Sequence, residues 1–153
     1  MIAHSFGTYI IAEYINSFAP EDNPVSFNSI ILTGSIINPG FDWELQRECK
    51  VARVLNEIAP NDGIVKFMPN MKAKKFFGLD DLFGNSGVKG FKKNSDILTQ
   101  TSNDVFTHNN VIKRDIIEKK WMPFLNANRY AKGEEYFRYV GMKMAKNLEE
   151  IAL

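Results

Sequence analysis

The chain has 153 residues, of which 44% are hydrophobic and 12% aromatic, with 19 basic residues against 18 acidic. This mix excludes disordered, collagen-like and coiled-coil proteins and fits one globular domain. A net charge of +1 gives no overall field for nucleic acid or an anionic membrane, and no apolar run approaches the ~18–20 residues of a membrane span.

In chain order, Met1-Ile2-Ala3 reads as the tail of a buried strand, and His4-Ser5-Phe6-Gly7 as a tight turn. No Lys or Arg precedes Arg47, so this segment lacks the basic lead of a signal peptide and reads as mature structure. Ile10, Ile11, Tyr14, Ile15 and Phe18 recur at helical spacing, which predicts a helix over 6–17, bounded by Pro20 and Pro24. β-branched residues predict a second strand over 25–33. A loop and a short helix over 43–48 come next, then a third strand over 51–58, stopped by Ala59-Pro60-Asn61-Asp62. A helical patch is expected over 68–76 and a loop with four glycines over 78–90. A fourth strand is expected over 95–101 and a helix over 111–125. Phe137, Val140, Met144, Leu148 and Ile151 share one face of a helix expected over 134–151. Strands alternating with helices predict an α/β fold of about four mainly parallel strands with flanking helices. In such sheets ligands bind beyond the carboxyl ends of the strands.

Ala3-His4-Ser5-Phe6-Gly7 stands between an apolar strand and an amphipathic helix. It fits small-x-Ser-x-Gly, a variant of the G-x-S-x-G nucleophile elbow. Small outer residues suit a sharp turn that lifts the serine Oγ clear of the sheet and aims helix N–H groups at the same spot. A serine hydroxyl needs a base. His4 adjoins Ser5, so their side chains diverge, and His108 is the remaining histidine. The base needs a carboxylate to fix its tautomer, and Asp62 lies just past the third strand.

Each residue also has a plainer reading. Ser5 suits an ordinary helix N-cap. Asp62 suits a turn in Pro-Asn-Asp-Gly, with Asp42, Asp80, Asp81 and Asp104 as rival acids. His108 suits a loop or a cap of the next helix. His4 reads as packing or hydrogen bonding beside the turn, and Trp43 and Trp121 as packing residues. Cys49, the one cysteine, forbids an internal disulfide, reads as a small buried residue and fits a reducing, cytoplasmic compartment. Two distant histidines without a Cys cluster or H-E-x-x-H offer no zinc pattern. The run Gly84–Gly90 lacks the Gly-Lys-Ser/Thr of a phosphate loop. Three small lysine and arginine clusters, at 72–75, 89–93 and 113–120, read as solvated faces, so no nucleic acid is expected.

The chain resembles the C-terminal half of an α/β-hydrolase of the serine esterase/lipase type. Residues 3–7, 29–35, 41–43, 54–62 and 106–108 carry the resemblance, which spans roughly residues 1–125. It implies Ser5 as nucleophile, Asp62 as acid, His108 as base and the Phe6 N–H as an oxyanion donor, with no metal or organic cofactor. The substrate class implied is a small carboxylic ester or thioester. The family's first four strands and second oxyanion donor are expected ahead of Met1. Residues 1–153 are therefore expected to be a single truncated domain, from the elbow to the C-terminal helix. Such a domain would be a fragment, one piece of a split enzyme, or a self-associating chain. The alternative is a catalytically inert remnant that serves as an interaction or structural module.

Overall fold

The computed structural model describes residues 1–19, 22, 24–47, 50–67 and 81–127. Cys49, the patch over 68–76, the basic cluster at 72–75 and the helix over 134–151 lie outside the described residues.

Four strands form one sheet: β1 (Ile2–His4), β2 (Ile30–Thr33), β3 (Val54–Ile58) and β4 (Leu98–Ser102). Their spatial order is β1-β2-β3-β4, and every neighbouring pair is parallel. This is an α/β fold with flanking helices. All four residues of β2 and the first four of β3 are buried, the pattern of strands covered on both faces. The outer strands differ. β1 has only three residues, and β4 is Leu-Thr-Gln-Thr-Ser, polar and half-exposed, as sheet edges commonly are.

Alternation along the strands divides the core. Ile30, Leu32 and Val54 face helix α1 (Phe6–Ser17), whose Ile11, Ala12 and Ile15 are buried, and Phe41, Trp43 and Phe91 complete that layer. Burying each isoleucine side chain contributes about 1.5–3 kcal/mol. Ile31 and Leu55 face the opposite layer, with Phe106, Val111, Trp121 and Phe124. Trp43 lies 4.8 Å from Phe41 and 5.6 Å from Phe91, ring centroid to centroid, so it is a packing residue.

Several elements differ from the sequence expectation. The second strand is shorter than 25–33, because Phe27 and Val51 form an isolated bridge before pairing of β2 with β3 begins. The helix expected over 43–48 is one 3-10 turn, Glu44–Gln46. The fourth strand starts at Leu98 because a turn at Ser95 takes the Ile97 and Leu98 N–H groups. Two short helices were not foreseen, α2 (Gly63–Phe67) and α3 (Ser86–Lys89). The expected loop over 78–90 is thus helical at 86–89.

The helix over 111–125 runs as α4 (Arg114–Ile116), a π-helical turn (Ile117–Trp121) and α5 (Met122–Asn126). Pro123 explains the wider turn, since it has no N–H for the carbonyl four residues back and its ring crowds that carbonyl. The run is anchored to the sheet by fully buried Glu57, which accepts from Lys120 Nζ (2.6 Å), Thr101 Oγ1 (2.8 Å) and Trp121 Nε1 (2.9 Å). None of the described helices is long and apolar enough to cross a membrane.

Candidate active site

The carboxyl edge of the sheet gathers the residues singled out by sequence. Ser5 follows β1, Gly34 follows β2, Asp62 lies four residues beyond β3 and His108 six beyond β4. A parallel sheet opens its loops at this edge, so residues far apart in sequence meet there.

Ser5 forms the corner between β1 and α1. Its φ is 52° and ψ −123°, and it is the one non-glycine residue with positive φ among the described residues. Such backbone is costly for a residue with a Cβ and persists where its surroundings hold it. The Ser5 N–H donates to Thr33 O at 3.0 Å, and the Ser5 carbonyl accepts from the Thr8 N–H, also at 3.0 Å. The Ser5 side chain makes no capping hydrogen bond. Ser5 thus holds the N-cap position of α1 without using its hydroxyl as a cap.

Phe6 opens the 12-residue helix α1, and its N–H finds no acceptor among the described residues. It lies beside Ser5 at the positive end of the helix, where oxyanions are favoured. A small residue was expected at position 7, and a Cβ there would meet nothing within 4 Å, so alanine would fit as well as glycine.

Asp62 is fully buried and uses both oxygens. Oδ1 accepts the Ile64 and Val65 N–H groups, each at 3.0 Å, and so starts α2. Oδ2 bonds His108 Nδ1 at 2.9 Å across 46 residues of sequence. One oxygen performs the turn role and the other holds the imidazole. Of the rival acids, Asp42 accepts from Lys93 Nζ at 2.6 Å, Asp81 and Asp104 accept through their backbone carbonyls from Asn38 and Asn61, and it is Asp62 that bonds His108 Nδ1. Asp80 lies outside the described residues.

His108 is mostly buried and stands over Gly34. A Cβ at Gly34 would sit 3.2 Å from two His108 ring atoms and 3.3 Å from His4 Cε1, and Gly34 itself has φ +52°. Glycine is favoured there, since a side chain would strain the backbone and press on both rings. The His4 and His108 ring centroids are 4.8 Å apart. This contact brings His108 against the turn that presents Ser5. No hydrogen bond joins Ser5 Oγ to His108, whose described side-chain bond is to Asp62.

His4, beside the turn as expected, bonds Thr33 Oγ1 through Nδ1 at 2.8 Å. Burial first, then the adjoining His108, lowers its pKa from the ordinary histidine value, while Asp62 and the Thr33 bond oppose that shift. Sequence reasoning missed the contact between the two histidine rings. It also missed Gly34, although Thr-Gly-Ser directly after a β-branched strand was a visible signal.

A buried polar layer supports the floor of this edge. Ser35 Oγ and Ser86 Oγ are 2.8 Å apart, and Asn56 Nδ2 donates to Ser86 O at 3.1 Å. Gly87 lets α3 approach β2 closely, since a Cβ there would lie 2.3 Å from Ser35 N. Among the described residues, no group of three or more His, Cys, Asp or Glu side chains could hold a metal ion. No protein-family model, curated protein or solved structure matches this chain.

Proposed function

We propose that this protein is a serine hydrolase of α/β-hydrolase type that cleaves a small carboxylic ester or thioester in the cytoplasm. The observation that carries this reading is the Asp62–His108 pair, 2.9 Å apart, standing against the strained turn of Ser5. A buried carboxylate on Nδ1 leaves Nε2 as the proton acceptor. The strand order and the parallel pairing also fit the resemblance.

In the proposed reaction, Ser5 Oγ attacks the acyl carbon as His108 Nε2 takes its proton. The Ser5–His108 contact closes when substrate binds, as catalytic hydrogen bonds in empty sites commonly do. Asp62 Oδ2 keeps the Nδ1 proton and steadies the imidazolium. The carbonyl oxygen, now an oxyanion, accepts the Phe6 N–H. Collapse of the tetrahedral intermediate expels the alcohol or thiol, which takes the proton from His108. Water then attacks the acyl-enzyme, giving its proton to His108, and the acid leaves as Ser5 is restored.

The absence of a Ser5–His108 hydrogen bond favours a second reading, an inert module of the same fold. Hydrolysis of p-nitrophenyl acetate and an acetyl thioester by the full chain separates the two. The hydrolase reading expects turnover that Ser5→Ala and His108→Ala each abolish. Turnover equal in all three chains, or none at all, would refute it.

A further inference from the structure

Among the described residues, one buried side chain near Ser5 has a hydrogen-bonding pattern that the proposed reaction does not yet explain. Thr8 is fully buried in the first turn of α1. Its Oγ1 donates to Ser5 O at 2.6 Å and accepts the Ile36 N–H at 3.1 Å. The Thr8 N–H reaches the same Ser5 carbonyl at 3.0 Å. One residue thus supplies two donors to that oxygen.

We infer that Thr8 is a positioning residue that clamps the strained turn of Ser5 and ties it to the loop after β2. The inference rests on the reading of Ser5 as nucleophile. The Ser5 N–H is already fixed to Thr33 O. Pinning the carbonyl as well fixes both peptide groups flanking Ser5, so φ 52° and ψ −123° cannot relax. The Ile36 bond then joins the corner to β2's loop, two residues beyond the Gly34 over which His108 stands. Through that loop, the clamp couples the placement of nucleophile and base. Displacement of a reacting group by about 1 Å costs on the order of 10²-fold in rate. A hydroxyl suits this place because its single oxygen donates to one backbone group and accepts from another at once.

The test is the second-order rate at which a fluorophosphonate labels Ser5, read by intact mass, in chains shown folded by circular dichroism. Thr8→Val keeps the shape and removes the hydroxyl, and Thr8→Ser keeps the hydroxyl and removes a methyl. Ile15→Val in the core controls for lost stability alone. The clamp predicts labelling slowed about 10- to 100-fold in Thr8→Val, near wild type in Thr8→Ser and unchanged in Ile15→Val. If Thr8→Val does not fold, Thr8→Cys, a weak donor and acceptor, takes its place with the same expected slowing. Thr8→Val labelling at the wild-type rate would overturn the clamp, as would equal slowing in Ile15→Val. A wild-type chain that never labels would instead overturn the nucleophile reading, and the clamp's catalytic role with it.

Discussion

Asp62→Asn separates the two jobs of one carboxylate. The asparagine Oδ1 still accepts the Ile64 and Val65 N–H groups that start α2. The Nδ2 amide replaces the oxygen that held His108 Nδ1. Two donors cannot face each other, so the imidazole moves its proton to Nε2 and can no longer take one from Ser5. A wrong tautomer of this kind costs about 10⁴ in rate, or ~5.4 kcal/mol at ~1.36 kcal/mol per decade. Asp62→Ala removes the tautomer control and also the acceptor for two backbone N–H groups. It should therefore label as slowly as Asp62→Asn and be less stable than Asp62→Asn by about 1 kcal/mol, a typical cap energy. The assays are fluorophosphonate labelling of Ser5 and urea denaturation. Asp62→Asn labelling within tenfold of wild type would refute the assignment of Asp62 as the orienting acid.

Three further outcomes follow from other parts of the fold. His4 has a lowered pKa in the folded state, mainly through burial, so below about pH 6.5 the unfolded chain binds more protons than the folded one. Its contribution to stability is therefore full above that pH and declines as pH falls towards the folded pKa; in urea melts from pH 7.5 to 5, His4→Gln should lose less stability than wild type. Gly87→Ala forces a Cβ to 2.3 Å from Ser35 N, a backbone atom that cannot give way; overpacking there should cost about 3 kcal/mol or more, seen as a lowered Tm. Lys120→Met leaves Glu57 fully buried without its cation. Breaking such a pair costs about 3–5 kcal/mol, reduced here to roughly 2–3 because Lys120 is about a third exposed, and a urea midpoint equal to wild type would contradict that role for Lys120.

Much of this fold was legible because the central strands, β2 (Ile-Ile-Leu-Thr) and β3 (Val-Leu-Asn-Glu-Ile), are rich in branched apolar residues and almost wholly buried. Their type and order could be read directly, and α1 was readable from the spacing of Ile11 and Ile15. The edges of elements were not, because they depend on single hydrogen bonds such as those at Ser95. Helix α3 was hidden by Gly87 and the glycines flanking it, which read as loop until Gly87 is seen packed on Ser35. At the candidate site, Ser5, Asp62 and His108 could be proposed from chain order and residue type. What sequence could not supply was the contact of the histidine rings, the dual use of Asp62 or the pinning of Ser5 by Thr8. The ring contact and the Asp62–His108 bond join residues at least 46 apart in sequence, and the Thr8 clamp rests on side-chain geometry that residue type alone does not fix.

The most direct test of the central claim is the intact mass of the full chain after treatment with a fluorophosphonate. An activated serine predicts one adduct, located by peptide mapping on Ser5 and absent from Ser5→Ala. A folded chain that remains unmodified, or an adduct that persists in Ser5→Ala, would contradict the account.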